Sequence, residues 1–349
     1  LPPLLWVKLE SVSKYLYNDE WKRKPGMTAK LYQQPFLRNP CMVAGWPGIG
    51  GVALRVATYL RDKLGAEELG EIEPSSFFHH AGIVVENNVI RIPQPPDISE
   101  LPQSRFYFWR NNSIGDDLII FAGEAQPPGK EWELAEEVID IARRFGVRRV
   151  YTSAAAVATI SHSRKPRVWA TATRAELLDY LRNYKVVLRD KIHISGLNGL
   201  LAGVAQERGI EGICLLGEVP FYIAQMGIEY PKSAQAVLEI LTQMLEIHID
   251  MSDLDRLVNE KDRKLIEVEE EIMRRMDIYP EEAEAMEDED MEMMEVPESA
   301  KRKIEKLFGE VKKDRSKAGK LKVELDRWNL FNEFQDRFLY IFRKGDEKA

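Results

Sequence analysis

A chain of 349 residues with 44% apolar content is long enough to bury one large α/β core and carry an appendage. Its formal charge of −8 is concentrated: Asp277 to Ser299 holds 11 acidic residues and no basic one, leaving 49 basic against 46 acidic residues elsewhere, a balance of +3. That near-neutral body carries no strong basic footprint for nucleic acid, and no apolar run approaches the ~18 residues of a membrane helix.

Residues 1–26 mix aromatic and basic side chains without a period and read as an N-terminal arm. Leu1-Pro2-Pro3-Leu4-Leu5-Trp6 is too short and wrongly flanked for a signal peptide. The change of texture at Met27 marks it as the expected natural start. Residues 27–252 alternate strands and helices. Cys41–Gly45 reads as a buried strand, Trp46–Gly51 as a glycine-rich turn and Val52–Leu60 as a helix. A helix starting there aims unpaired N–H groups and its positive end at whatever lies above the strand, making Gly45, Trp46, Gly48 and Gly50 ligand-binding candidates. Gly45 and Gly50 have P-loop spacing, but Gly51-Val52 stand where lysine and a hydroxyl are required, which excludes a P-loop. Gly48-Ile49-Gly50-Gly51-Val52-Ala53 formally fits the dinucleotide fingerprint, with Glu71 and Glu73 lying ~20 residues on. Pro47 and Trp46 are out of character for a loop facing a pyrophosphate, so a structural turn is the favoured reading.

Ile83–Ile92 has the shape of a hairpin turning at Asn87-Asn88. Arg105–Arg110 is a β-prone aromatic strand that needs covering by another element or another subunit. Phe106, Phe108 and Trp109 are therefore candidates for partner contact, and self-association is expected. Asp117–Gly123 reads as a buried strand, and Trp132–Phe145 as a helix stopped by Gly146. Arg148–Ser153 is the next strand, Ala154–His162 a small-residue loop and Arg174–Leu181 a helix. Lys191–Ile194 leads through Ser195–Gly199 into a helix at Leu200–Glu207, a second copy of the opening arrangement. Gly212–Glu218 is a further strand and Ser233–Leu245 a further helix. This order predicts a three-layer α/β fold, a mostly parallel or mixed sheet flanked by helices. Ligands of such sheets sit at the carboxyl ends of strands, which adds Glu124, Gln126, Ser195, Asn198 and Glu218 to the candidates.

Glu124 and Glu218 each follow a glycine at a strand end and suit an acid–base pair or a ribose contact. The simpler reading, that each accepts backbone N–H groups at a corner, is preferred. Ser153 or Ser195 with His162 or His193 lacks a Gly-x-Ser-x-Gly elbow. The five histidines show no metal-ligand spacing with cysteine or carboxylate, so no metal and no cofactor are expected. Cys41 and Cys214 lie in apolar runs and read as core thiols of a reducing cytoplasm.

Beyond Ser252 the texture changes. Residues 253–276 form a charged helix with Val258, Leu265 and Ile272 seven apart and Leu254 and Val268 on a neighbouring face. That stripe suits packing on the body or on a partner helix, as in a coiled coil. Residues 277–299 are an acidic, Met-rich linker with too little apolar surface to fold alone. Residues 300–349 are a helical tail whose basic cluster, Lys301–Lys322, reads as a solvated face. Trp328, Phe331, Phe334 and Phe338 share one side of it, as expected of a docking helix.

Five segments taken together resemble the proteasome assembly chaperone 2 family over about Met27–Ser252. They are Ala44–Gly50, Ile119–Pro127, Ile194–Leu201, Gly209–Glu218 and Tyr230-Pro231. The resemblance implies a nucleoside-phosphorylase-like α/β fold, homo-oligomers, and binding to another protein complex rather than catalysis. The alternative is a nucleotide-like small-molecule enzyme or sensor of ATP-dependent ligase or phosphorylase type that uses the strand-end glycine loops. Some archaeal relatives bind the proteasome through a C-terminal hydrophobic-Tyr-any tail. Here Leu339-Tyr340-Ile341 lies within the helical tail, so tail insertion is not expected.

Overall fold

The computed structural model describes residues 28–79, 84–91, 101–112, 115–189, 191–276 and 298–313, with positions 317, 321, 325, 334 and 337. The chain divides into two compact units, Leu1–Glu287 and Asp288–Ala349. The strands of the first are β1 (Ala29–Leu31), β2 (Cys41–Gly45), β3 (Glu67–Ile72), β4 (Val84–Glu86), β5 (Val89–Arg91) and β6 (Ser104–Trp109). Then follow β7 (Leu118–Gly123), β8 (Arg149–Ala158), β9 (Val168–Ala172), β10 (Val186–Leu188) and β11 (Glu211–Pro220). Its helices are α1 (Val52–Leu64), α2 (Glu131–Arg144), α3 (Glu176–Leu181), α4 (Leu197–Glu207), α5 (Phe221–Met226), α6 (Pro231–Met244) and α7 (Ser252–Met276).

Nine strands form one sheet in the order β1-β3-β6-β7-β2-β8-β11-β9-β10. The central four, β7, β2, β8 and β11, are parallel. β6 and β9 run antiparallel to their inner neighbours, which makes the sheet mixed. Because β2 is covered on both faces, it can be apolar at every position. Cys41 and Val43 join a core with Val56 and Leu60 of α1 and Val237 and Leu241 of α6. Met42 and Ala44 join a second core with Leu134 and Val138 of α2 and Leu201 of α4. These are the three layers expected. β4 and β5 form the expected hairpin, with positive φ at Asn87 (51°) and Asn88 (62°), the geometry of a two-residue primed turn.

Several expectations need correction. The aromatic strand is not an open surface: β6 lies between β3 and β7. Phe106 and Phe108, 0% and 2% exposed, point into the second core, where Phe106 meets Phe121 at 4.8 Å between ring centroids. Tyr107 and Trp109 are half-buried on the opposite face against the first core. The chain's own layers cover this strand. Ala154–Ala158 is strand, not loop, because β11 pairs with β8 residue by residue to Ala158 and Pro220. Residues 191–195 form no strand, and the helix after them starts at Leu197.

On α7, Leu254, Val258 and Leu265 are buried, and Leu254 and Leu265 belong to the first core. This stripe packs on the body, helped by ion pairs from Lys63 to Asp253 (2.9 Å) and Lys232 to Asp262 (2.8 Å). No helix among the described residues is long and apolar enough to cross a membrane.

In the second unit, α8 (Glu298–Lys313) buries Ile304, Phe308 and Val311 with Leu321 and Leu325. Phe334 tilts against Phe308 at 5.7 Å. The Arg337 guanidinium lies 4.2 Å from the Phe308 ring centre and reaches Glu305 at 2.5 and 2.6 Å. The Phe334 ring is thus met within its own unit. Trp328, Phe331 and Phe338 lie outside the described residues, as do residues 1–26, residues 277–297, and the side chains of Val268 and Ile272.

Candidate functional site at the carboxyl end of the sheet

The turn after β2 is held by shape first. A Cβ at Gly45 would come within 2.2 Å of the Ala53 carbonyl oxygen, so only glycine lets α1 approach β2 this closely. Gly50 and Gly51 both take φ 65°, and the Gly50 carbonyl accepts from the Tyr230 N–H at 2.9 Å. Gly48 is extended and lies next to Asn198. Trp46 does not face a ligand. It is fully buried, 4.9 Å from Phe121 between ring centroids, and its Nε1 lies over Gly123, where a Cβ would sit 2.3 Å away.

Polar side chains then tie this turn to its neighbours. Asn198 accepts from the Trp46 N–H at 3.0 Å and donates to the Trp46 carbonyl at 3.2 Å. Gln126 donates to the Pro47 carbonyl at 2.6 Å and accepts from the Leu197 N–H, at the start of α4, at 2.9 Å. One of the N–H groups that could have met an anion there is therefore taken by the chain itself.

The two carboxylates behave as the simpler reading expected. Glu218, 1% exposed, accepts from the Arg167 N–H and Nε at 2.9 and 2.8 Å and from Trp169 Nε1 at 2.9 Å. Glu124 is exposed and accepts from the Gln103 N–H at 2.9 Å. His162 is buried: its N–H donates to Tyr222 Oη at 2.9 Å, its Nδ1 is 3.2 Å from the same oxygen, and Lys232 donates to its carbonyl at 2.5 Å. Ser195 and His193 are exposed. Burial pushes the thiols of Cys41 and Cys214 up to about 11, so neither is a ready nucleophile. The dinucleotide reading fails on topology. Glu71 lies on β3, which β6 and β7 separate from β2, so it cannot reach a ligand above Gly48–Gly51.

The same end of the sheet carries residues that sequence reasoning missed. Ile49, Val157 and Met226 are 49%, 37% and 45% exposed. They lie on the turn after β2, the end of β8 and the end of α5, three segments that touch one another. An uncharged Ala-Ala-Ala-Val run leaving a strand was the available signal.

A three-layer α/β protein whose strand-end polar groups hold its own loops together is the class these features define. The chain belongs to the PAC2 family, whose model matches residues 42–269. Among solved structures it is similar to Pyrococcus furiosus PbaB, an archaeal proteasome activator, at 30% identity and TM-score 0.58, covering 69% of this chain and 98% of that one. Pyrococcus furiosus PbaA, an archaeal homologue of proteasome-assembly chaperone, shares the fold at 22% identity and TM-score 0.52, covering 74% and 99%. An uncharacterized Methanocaldococcus jannaschii protein is 28% identical over 261 residues, 73% of this chain and 93% of that protein.

Proposed function

We propose that this chain is a non-catalytic, cytoplasmic protein-binding factor that self-associates and acts on another protein assembly, a proteasome being the first candidate. The observation that carries this reading is the use of the strand-end polar groups. Asn198, Gln126 and Glu218 spend their hydrogen bonds on Trp46, Pro47, Leu197, Arg167 and Trp169, where a ligand-binding relative of this architecture would turn them to a substrate. The similarity to PbaB supplies the kind of partner. The tail bearing Trp328, Phe331 and Phe338, reached through the acidic stretch 277–297, is read as a second contact for that partner.

The test mixes the full chain with proteasome core particles of the native host and follows co-elution and hydrolysis of a fluorogenic peptide. Co-elution with a changed hydrolysis rate is expected. Absence of co-elution, together with thermal stabilisation of the chain by ATP or a nucleoside, would overturn the reading in favour of a small-molecule site.

A further inference from the structure

We infer that Arg167 and Arg189, set about the indole of Trp169, form a site for the carboxylate side chains of an acidic segment on a partner protein. This inference rests on the protein-binding reading above and names the chemistry of one contact.

Trp169 of β9 packs with Cys214 and Leu216 of β11 and with Ile192 and Ile194. Among the described residues no helix joins this small cluster, and residues 191–195, which lie over it, form neither helix nor strand. Trp169, Ile192 and Ile194 therefore stay part-exposed. The indole is fixed by its polar end. Its Nε1 donates to Glu218 Oε1 at 2.9 Å, and Arg167 Nε donates to the same oxygen at 2.8 Å. The Arg189 guanidinium carbon lies 5.1 Å from the Trp169 ring centre, a stacking contact that restrains the cation without neutralising it.

These two cations keep unused donors. Glu218 takes Arg167 Nε and leaves its Nη groups to solvent, with the side chain 51% exposed. Among the described residues no carboxylate meets Arg189, and Nε is its only nitrogen enclosed without an acceptor. One carboxylate thus stands against two guanidinium groups. The surrounding charge has the same sign. Residues 164–193 hold eight basic and three acidic residues, in a chain whose formal charge is −8. The near-neutral average of the body hides this local excess, and Lys191 extends it as an exposed cation beside Ile192.

Guanidinium forks match carboxylates and phosphates alike. An acidic protein segment fits here better than nucleic acid on two counts. The negative charge of the whole chain opposes a long polyanion. A short acidic segment meets mainly the local cations, because screening acts over about 8 Å at physiological salt. Ile192 and Ile194, packed in one cluster with Trp169, also suit the side chains of a peptide rather than a sugar–phosphate backbone. The occupant is therefore a segment in which acidic and apolar residues are interleaved.

The test titrates the full chain into a fluorescein-labelled heptapeptide of alternating glutamate and leucine, read by anisotropy. A copy with glutamine for glutamate serves as the control. Binding at about 10–100 μM is expected, about tenfold weaker for the glutamine copy and about fivefold weaker for Arg189→Gln. Arg189→Lys keeps the charge but loses the fork, so an intermediate loss is expected. Lys30→Gln removes an exposed charge from β1, at the opposite edge of the sheet, and should leave binding unchanged. Equal binding of the two peptides, or undiminished binding by an Arg189→Gln variant that melts like the parent, would overturn the inference. An equal loss in Lys30→Gln would assign the effect to net charge and overturn the site. Tighter binding of a labelled twelve-nucleotide thymidine strand, lost in Arg189→Gln, would overturn it in favour of nucleic acid. If the peptide fails while the chain still co-elutes with the core particle, the protein-binding reading stands and only this site is refuted.

Discussion

Two neighbouring strands, β2 and β8, point their carboxyl ends the same way and meet opposite fates. Beyond β2 the chain turns at once. Gly45 lets α1 close down on the strand, and Asn198, Gln126 and the Tyr230 N–H fasten the turn. Beyond Thr152, β8 keeps going with a partner on one side only. The first end resembles a ligand site in sequence and is sealed in structure. The second resembles a loop in sequence and is strand in structure, mostly buried, with Ser153, Ala156 and Ala158 1%, 6% and 9% exposed and Val157 left facing solvent. The difference teaches that a glycine-rich strand-to-helix turn signals close packing as readily as a ligand, and that the decisive fact is where the neighbouring polar groups are spent.

Breaking the sealed end should cost most. Asn198→Ala removes both partners of the buried Trp46 peptide groups, and leaving each unsatisfied costs about 1–3 kcal/mol. A loss of about 3–4 kcal/mol, or about 10 °C in Tm by calorimetry, is expected for a unit of this size. A change within about 1 °C would mean that the turn is not fastened this way.

Glu218→Gln keeps an acceptor but removes the charge facing Arg167. A smaller loss of about 2 kcal/mol is expected, because the guanidinium is half exposed and regains water. If Glu218 were instead a catalytic carboxylate held ready for a substrate, its replacement would leave stability unchanged or improved.

The smallest effect concerns α7, which lies outside both strand ends and serves as a control. Hydrogen bonds from Tyr59 and Lys63 hold the Asp253 carboxyl down at about 2. A carboxyl depressed in the folded state stabilises above its unfolded value and loses that contribution as pH falls through its folded value. Asp253→Asn should therefore lower Tm slightly at pH 7, with the difference from the parent vanishing as pH falls from about 4 towards 2. A difference independent of pH would assign the contact to packing alone.

What the sequence made legible follows from locality. Cys41–Gly45, the Asn87-Asn88 turn and the stop at Gly146 are written in short windows by apolar runs and residues that tolerate positive φ. Glu218 does accept a backbone N–H, that of Arg167, but β11 runs on past it to Pro220, and its side-chain partners, Arg167 and Trp169, are not readable from local pattern. β9 and β10 escaped because five and three residues give too little period to read. The end of β8 escaped because alanine carries no strand preference and β11 imposes the pairing from a distance. Phe106 and Phe108 looked like a surface because their cover, α2 with Trp46 and Phe121, is distant or only assembled by the sheet order. Phe334 finds Phe308 of α8, a contact that spacing on one helix does not reveal.

The central claim is that the carboxyl end of this sheet contacts protein rather than a small molecule. Hydrogen–deuterium exchange on the full chain, alone and with proteasome core particles of the native host, tests it most directly. The account predicts that amides around Val157 and Met226, exposed at the carboxyl end of the sheet, gain protection in the complex while those of Trp46–Gly51 exchange slowly in both states. Unchanged exchange around Val157 and Met226 in a confirmed complex, or protection of Trp46–Gly51 appearing on addition of ATP, would contradict it.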